Sequence, residues 1–376
     1  MYSMMTAEQK DLVDLVRNVL TKELLPIQKE YELIGKFPMS VHDKLGELGF
    51  HGMDIPEEYG GLGLDPMTGY LIREEMGKID AGFGFNYCIG KGTAATALKY
   101  GTEEQKKMFC DRLLNGGIGA TCLTEPDAGS DVTAIRTTAR KVGDEYILNG
   151  SKCFITNGPL ANTFQVLAYT NKEAGSKGMS LFIVEKERGV QVGAKEDKMG
   201  FRMSETSDIV FEDVKVPAIN LIGQEGQGYR LALGQVGKAR LMTSAYALGL
   251  AQSALDEAVN YAKIRISFGK PISKYQGVSF ILADMAIQIE AARQLVIYGV
   301  RQMEAGMDYS FTASCAKTMA ADVAMKVTTD AVQVFGGYGY SREYPLEQKM
   351  RDAKLFAIFE GTNQIQRMII GQTLTK

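Results

Sequence analysis

The last third of the chain carries three long segments in which apolar residues recur with a helical period. These segments span residues 228–265, 276–305 and 310–334. In the second one the apolar stripe consists of Ile281, Leu282, Met285, Ile289, Ala292 and Val296. Asp284, Arg293 and Arg301 fall largely off that stripe. Long helices with one wide apolar face are stabilised by packing against each other, so this third predicts an antiparallel helical bundle.

The first third is also predicted to be helical. Helical patterns cover residues 6–25, 41–48, 66–79 and 90–114, and a turn-rich loop follows Ile55. The pattern changes near Gly117, where short apolar or alternating runs begin. We therefore predict a mainly α fold with a β middle domain: an N-terminal helical domain (1–117), a β-domain (118–222) and a C-terminal four-helix bundle (223–376).

The middle segment predicts several short strands. These are residues 164–169, 179–184, 189–192, 207–211 and 214–216. Asn149-Gly150 lies between two further apolar runs, 146–148 and 153–156, which is a hairpin signal. Strands at such short spacing predict a small β-sandwich or barrel.

Composition excludes several classes of function. The 376 residues carry 42 basic and 45 acidic side chains, a net charge of −3, which argues against nucleic acid or an anionic membrane as partner. With only two histidines, a multi-histidine metal site is excluded, and we predict no metal. The five cysteines form no CxxC pair, and no targeting or membrane segment is recognisable. We expect a soluble, cytoplasmic protein with buried, unpaired cysteines.

Two polar strings interrupt the otherwise ordinary pattern. The first covers residues 123–131 and 154–158, and it contains the Pro, Asp, Gly and Ser residues typical of turns. One interpretation is a pair of surface turns. The other is a platform of hydroxyl and backbone N–H groups for a flat heteroaromatic ring or a phosphate. No GxGxxG or GxxxxGK[ST] motif is present, which argues against a Rossmann or P-loop nucleotide site.

The second string covers residues 333–340 and 350–366, and it contains Glu360 in an apolar context. A carboxylate in apolar surroundings has a raised pKa, as a general base working near neutral pH requires. The alternative is that Glu360 only belongs to the turn before the last helix, with Thr362 as its N-cap.

Together, these strings resemble those of the acyl-CoA dehydrogenase family over essentially the whole chain. Residues 123–131 resemble the first family signature, and residues 333–339 with 350–366 resemble the second. Residues 265–271 with Gln276 resemble the flavin-contacting segment. The resemblance implies the three-part fold described above, FAD as cofactor and a homotetramer.

The resemblance also implies roles for individual residues. Glu360 matches the catalytic base. The positions that match contacts to FAD are Leu123, Thr124, Phe154, Thr156, Arg265, Phe268, Gln276, Gln333, Gly337, Thr362 and Gln364. Those that match the acyl-CoA site are Ser130, Arg240, Tyr87 and Gly361. Some relatives place the base on the long C-terminal helix, but the matching residue here is Ala239, which carries no acid.

The chain departs from the family pattern at two positions. Phe154 replaces the usual Trp over the flavin face, which keeps the apolar surface but removes the indole N–H. Gly237 replaces an acidic residue common three positions before the arginine that matches Arg240, which puts one CoA contact in doubt.

The implied reaction is oxidation of an acyl-CoA thioester to its trans-2-enoyl form, with electrons passing to electron-transfer flavoprotein. Residues 83–92 are expected to line the acyl pocket. Their aromatic and apolar side chains favour a short or medium acyl chain, while Tyr87, Cys88 and Lys91 suit a polar or aryl group. Three alternatives stay open: an enoyl-CoA reductase, an oxidase that uses O₂, and a CoA-binding scaffold without chemistry.

Overall fold

A computed structural model describes residues 5–375, and it has the predicted order of helices, strands and helices. The N-terminal helices are α1 (Ala7–Val19), α2 (Gln28–Ile34), α3 (Met39–Glu47), α4 (Pro66–Ile89), α5 (Gly92–Tyr100) and α6 (Glu103–Leu114). Thr6 and Thr102 begin α1 and α6 with capping boxes, in which each threonine hydroxyl accepts from the third helical N–H. The N-terminal helical domain is therefore confirmed.

The helix α4 is longer than predicted and is kinked at Asp80. Asp80 has extended backbone angles, and its Oδ1 accepts a hydrogen bond of 2.8 Å from the N–H of Phe83. This side chain caps the second half of α4 as an N-cap residue would, so helical structure restarts immediately. The predicted end at residue 79 is thus a kink, and the residues after it continue to Ile89 as a fully buried segment.

The middle of the chain forms one connected sheet of eight strands. They are β1 (Gly119–Cys122), β2 (Thr138–Val142), β3 (Glu145–Thr156), β4 (Thr163–Tyr169), β5 (Met179–Glu185), β6 (Gln191–Lys195), β7 (Thr206–Pro217) and β8 (Leu221–Ile222). Their order is β6-β7-β3-β2-β4-β5-β8, and β1 pairs in parallel with β4. Apolar residues of β3 and β7 pack with those of β4 and β5 in one core, as in a sandwich.

The hairpin predicted at Asn149-Gly150 is wrong. Strand β3 runs through this dipeptide and pairs with β7 on both sides of it, with a bulge between Leu148 and Gly150. The Asn149 side chain exchanges two hydrogen bonds with Asp213 on β7, at 2.9 and 3.0 Å. Both partners prefer bulged or turn conformations, and here the sheet uses them to bend two long strands together. For the same reason, the two short strands predicted at 207–216 are one strand, β7.

The last part contains α7 (Gly228–Leu233), α8 (Val236–Ile264), the two-stranded hairpin of β9 (Ile266–Ser267) and β10 (Lys270–Pro271), α9 (Gln276–Glu304), α10 (Ser310–Phe335), α11 (Leu346–Ala353) and α12 (Asn363–Leu374). The helix predicted over 228–265 is broken at Gly234 and Gln235, where an added Cβ on Gly234 would collide with the Tyr100 hydroxyl. The helical bundle itself is confirmed.

The N-terminal and C-terminal helices share one hydrophobic core in which α4 packs against α8. Arg293 of α9, expected away from the apolar stripe, is nonetheless buried, because its guanidinium pairs with Glu74 of α4 at 2.9 Å. This shared core positions the functional residues, since the N-terminal part, the sheet and the bundle all meet along α4. Across residues 5–375, no helix combines the length and apolar character needed to span a lipid bilayer.

Candidate active site

Glu360 lies in a tight turn between α11 and α12. Its φ is +54°, which is unusual for a residue with a side chain, and Gly361 follows with φ +82°. The Thr362 hydroxyl accepts from the N–H of Ile365 at 3.2 Å and so begins α12. The N-cap predicted for Thr362 is therefore confirmed, and the turn aims Glu360 away from the helix that follows it.

Two buried side chains fix this turn through its carbonyl groups. The Lys317 ammonium on α10 donates to the Gly361 carbonyl at 2.8 Å and to Asn363 Oδ1 at 3.1 Å. Gln366 Nε2 donates to the Gly361 carbonyl at 3.0 Å and to the Glu360 carbonyl at 3.3 Å. Both Lys317 and Gln366 are almost completely buried. Four hydrogen bonds from the helices thus maintain a left-handed backbone that would otherwise be strained.

Burial raises the pKa of the Glu360 carboxyl, while the charges of Lys317 and Arg240 oppose that rise. The same burial lowers the pKa of Lys317 to about 8. Arg240 on α8 donates to Ser314 at 3.2 Å, and its buried Nε has no partner within residues 5–375. The N–H of Glu360 likewise has no acceptor in that part of the chain. The site therefore holds one base of raised pKa, one free backbone donor and two cations.

Aromatic rings form the apolar surroundings that the sequence predicted for Glu360. Phe359, its chain neighbour, lies 4.6 Å from Phe85 of α4 and 5.8 Å from Phe201, measured between ring centroids. Phe85 also packs against Tyr246 of α8 at 6.0 Å. These rings come from all three parts of the fold. They exclude water from the neighbourhood of the carboxylate, which is the physical origin of its raised pKa.

The first polar string meets the end of β3 as a platform. Phe154 has φ +55° and is 65% exposed, so its ring stands out from the sheet between bulged neighbours. Thr124 lies beside it, since its carbonyl accepts from the N–H of Cys153 at 3.0 Å. Leu123, Thr124 and Thr156 are half-buried. An exposed aromatic face flanked by hydroxyl and backbone groups fits a flat ring with polar edges, as the isoalloxazine of FAD has.

A buried ion pair organises this platform, and the sequence analysis missed it. Lys152 is fully buried, and its ammonium pairs with Glu125 at 2.8 Å and donates to the carbonyls of Leu167 and Leu123, at 2.8 and 3.3 Å. The Glu125 carboxylate also accepts from Thr137 and from the N–H of Arg136. A lysine at an inward position of an otherwise alternating strand is the signal that could have revealed it.

A second group of predicted cofactor residues lies on the far part of the bundle. Arg265, Gln333 and Gly337 line one open groove of about 580 Å³, together with Tyr338, whose ring lies 5.5 Å from the Arg265 guanidinium. Phe268, on the hairpin beside the groove, is 95% exposed. Gln276 and Gln364 are exposed on their helices. The structure brings these groove residues together but does not join them to Glu360 within one chain.

Two predicted substrate residues lie apart from Glu360. Tyr87 is buried against the two histidines, with its hydroxyl 3.2 Å from His51 Nδ1 and the Lys91 ammonium over its ring. Burial lowers the pKa of His51 to about 3. On α4 it is Phe85, two residues earlier, that faces the aromatic wall of the site. Ser130 lies in the exposed part of the first polar string.

Comparison with known proteins agrees with this arrangement. Sequence models for the N-terminal, middle and C-terminal domains of acyl-CoA dehydrogenases match residues 6–117, 120–214 and 226–375. The chain is 44% identical, over 379 aligned positions, to the short-chain specific acyl-CoA dehydrogenase of Megasphaera elsdenii, and the alignment covers 99% of each chain.

Solved structures have the same fold. Butyryl-CoA dehydrogenase from Megasphaera elsdenii superposes with a TM-score of 0.96 at 44% identity, covering 99% of both chains. A chain from a structure of the electron transferring flavoprotein of Acidaminococcus fermentans gives a TM-score of 0.96 at 45% identity, again over 99% of both chains. The chain described here belongs to the acyl-CoA dehydrogenase family.

Proposed function

We propose that this protein is an FAD-dependent acyl-CoA dehydrogenase in which Glu360 is the catalytic base. The observation that carries the proposal is the pairing, in one strained turn, of a buried carboxylate of raised pKa with a backbone N–H that lacks an acceptor within residues 5–375. The N–H polarises the thioester carbonyl, which acidifies the α-hydrogen, and the carboxylate removes that proton. One residue thus supplies both the electrophilic contact and the base.

The flavin, when bound, accepts the β-hydrogen of the substrate as a hydride. The residues proposed to hold it are Leu123, Thr124, Phe154 and Thr156 at the platform, with Thr362 and Gln364 at the start of α12. Phe154 presents the exposed ring face on which the flavin lies, and the platform hydroxyls bind its polar edge. The buried pair of Lys152 and Glu125 keeps this loop in position, because both of its backbone ends are tied to the pair.

We infer that the acyl chain is short. The aromatic rings of Phe85, Phe359 and Tyr246 meet closely beside Glu360, which leaves room for few methylene groups. The two similar proteins from Megasphaera elsdenii are a short-chain specific and a butyryl-CoA enzyme, which agrees with this inference. Arg240, Ser130 and Gly361 are the proposed contacts to the CoA thioester. Tyr87 stays a proposal only, since it lies among buried histidines.

The test of the catalytic base is anaerobic bleaching of the flavin by butyryl-CoA. Glu360→Gln keeps the shape and the backbone N–H but cannot accept the α-proton. We expect the variant to purify yellow, to bind substrate, and to lose at least about 10³-fold of the bleaching rate, because general-base catalysis contributes 10²–10⁴-fold. Glu30→Gln, an exposed carboxylate on α2, serves as the matched control. Bleaching of Glu360→Gln at the wild-type rate overturns the proposal.

We further propose that the protein is a homotetramer whose subunits complete each other's cofactor site. The support is the surface beside the groove, where Phe268 is 95% exposed and Ile264 76% exposed, an unusual cost for a soluble surface. Arg265, Phe268, Gln276, Gln333 and Gly337 belong to this surface, away from Glu360. Phe268→Asp is expected to shift the mass measured by light scattering towards smaller species and to lower the flavin content. An unchanged mass and flavin content contradict this.

Electron-transfer flavoprotein is the proposed acceptor, and the cytoplasm is the proposed location. The similarity to a chain from a structure of that flavoprotein in Acidaminococcus fermentans supports the acceptor. The reduced enzyme is expected to transfer electrons to purified electron-transfer flavoprotein much faster than it reacts with air. Rapid reoxidation by O₂ alone would instead indicate an oxidase. Cell fractionation tests the location.

A further inference from the structure

A buried lysine, Lys317, lies directly behind the turn that carries Glu360. It is 1% exposed, in the middle of α10, and its neighbours along the buried face of that helix are the alanines 313, 316, 320 and 324. An ammonium group in such surroundings loses its hydration, and burial lowers its pKa to about 8. A leucine or methionine would pack there without this cost. The lysine therefore requires an explanation from what it contacts.

The two hydrogen bonds of Lys317 both end on the turn. Its Nζ donates to the carbonyl of Gly361 at 2.8 Å and to Oδ1 of Asn363 at 3.1 Å. Asn363 is held in turn, because its Nδ2 donates to Asp322 of the same helix at 2.8 Å. Gly361 needs a left-handed backbone, and an added Cβ there would lie 2.7 Å from Gln366 Nε2. Lys317 thus anchors the residues that immediately follow Glu360.

The third N–H of the ammonium has no acceptor within residues 5–375. Two cations act on the Glu360 carboxylate, Lys317 from α10 and Arg240 from α8. Arg240 is turned partly towards Ser314, while Lys317 is fixed by the turn itself. Asp322 is the remaining charged group that acts on Lys317. The attraction between Lys317 and Glu360 is therefore built into the same contact that shapes the turn.

We propose that Lys317 is a positioning residue for the reaction: it fixes the Glu360–Gly361–Thr362 turn through the Gly361 carbonyl and keeps the Glu360 carboxylate ionised at neutral pH. The proposal rests on Glu360 being the base. It assigns to the lysine both a geometric role, aiming the carboxylate, and an electrostatic role, opposing the effect of burial. Without the lysine, the buried carboxyl would be protonated over much of the neutral range and would be unable to accept the α-proton.

The test compares Lys317→Met, Lys317→Gln and Lys317→Arg in the intact holoenzyme. Lys326→Met changes an exposed lysine on the same helix, paired only with Asp330, and is the control. The rate of flavin bleaching by butyryl-CoA is measured from pH 5.5 to 9.5. Infrared difference spectra of the substrate-free protein follow the protonated carboxyl band that is absent in Glu360→Gln, which reports the ionisation of Glu360 without any turnover.

We expect the carboxyl band of Lys317→Met to titrate about one pH unit or more higher than in the wild type, since a neighbouring opposite charge lowers a carboxyl pKa by one to three units. The acid limb of the bleaching profile is expected to move by the same amount, with about tenfold slower bleaching at pH 6.5. Lys317→Arg keeps the charge and is expected to keep the wild-type midpoint. Lys317→Gln keeps one donor for Gly361 but no charge, and its midpoint is expected to rise as in Lys317→Met.

The outcomes separate this proposal from the assignment of the base. If Glu360→Gln does not bleach but both uncharged Lys317 variants keep the wild-type midpoint, Glu360 is the base and Lys317 only supports the fold. A midpoint that moves equally in Lys317→Arg and Lys317→Gln also overturns the electrostatic role. If Lys317→Met does not fold, Lys317→Gln gives the same comparison, because its amide still satisfies the Gly361 carbonyl.

Discussion

At the scale of single residues, Glu360 combines features that would destabilise most proteins. It has a left-handed backbone, and its carboxyl is buried among aromatic rings, so that its pKa is raised. Each feature costs folding free energy, and the hydrogen bonds of Lys317 and Gln366 offset that cost locally. A residue held against its preferences in this way is typical of a functional site rather than of a structural turn.

The cost predicts the effect of Glu360 on stability. A carboxyl whose pKa is raised by folding stabilises the native state below its unfolded pKa, and this contribution is lost as the pH rises through the folded value. Glu360→Gln removes the buried charge, so we expect the variant to be more thermally stable than the wild type at pH 8.5 and to differ little at pH 4.5. Differential scanning calorimetry at the two pH values measures this, with Glu30→Gln as reference. Equal melting temperatures at pH 8.5 would contradict it.

At the scale of elements, the crossing of α4 and α8 depends on two glycines. An added Cβ on Gly77 would lie 2.6 Å from the Tyr246 Cα, and one on Gly249 would collide with the Glu74 carbonyl. The two helices can therefore approach with their backbones almost in contact. This close approach brings Phe85 of α4 and Tyr246 of α8 together beside the turn of Glu360. Each glycine looks unremarkable in the sequence, because only the packed pair shows why a side chain is excluded.

The close approach predicts opposite effects for two similar substitutions. Gly249→Ala is expected to destabilise the protein by about 2–3 kcal/mol, since two backbones must separate, although alanine favours the helix by itself. Gly371→Ala on α12, where an added Cβ meets nothing within 4 Å, is expected to stabilise by about 0.5–1 kcal/mol. Chemical denaturation of both variants measures the difference. A neutral Gly249→Ala would show that the helices can move apart freely.

At the scale of the whole molecule, two buried acids connect the three parts of the fold. Asp352 of α11 accepts from the N–H of Phe201, which follows the β6 strand, and Gln348 donates both to Asp352 and to Asp80 at the kink of α4. Burial and the nearby Asp80 raise the pKa of Asp352 to about 7. The junction is therefore most favourable when Asp352 is protonated, and ionisation places two negative charges in one buried network.

This network predicts how stability changes with pH. The contribution of Asp352 is present in full below its ordinary pKa of 3.8 and is lost as the pH rises through about 7. Asp352→Asn cannot ionise but still accepts from Phe201. We expect its free energy of unfolding to fall less between pH 5 and pH 8 than that of the wild type, by on the order of 2 kcal/mol. Denaturant titrations at both pH values, with the exposed Asp197→Asn as control, measure the difference; parallel curves would rule the effect out.

The sequence by itself determined the order of the three parts, the helical bundle, the exclusion of metal and thiolate chemistry, and Glu360 as the candidate base. These follow from periodicity, composition and local motifs, which need no knowledge of long-range contacts. The apolar residues around Glu360 already predicted its raised pKa, and the local signal for Thr362 as N-cap was sufficient. The family resemblance supplied the cofactor and the remaining site residues, whose roles stay predictions.

The tertiary structure alone decided what lies opposite those residues. It made one bent strand of the predicted hairpin at Asn149-Gly150, because β7 offered partners on both sides. It buried Arg293 and Lys152 by pairing them with acids far away in sequence. It also placed Lys317, 43 positions before Glu360, against the catalytic turn. A buried charge is stable only beside its partner, and the identity of that partner depends on how distant segments pack rather than on the neighbouring residues in the chain.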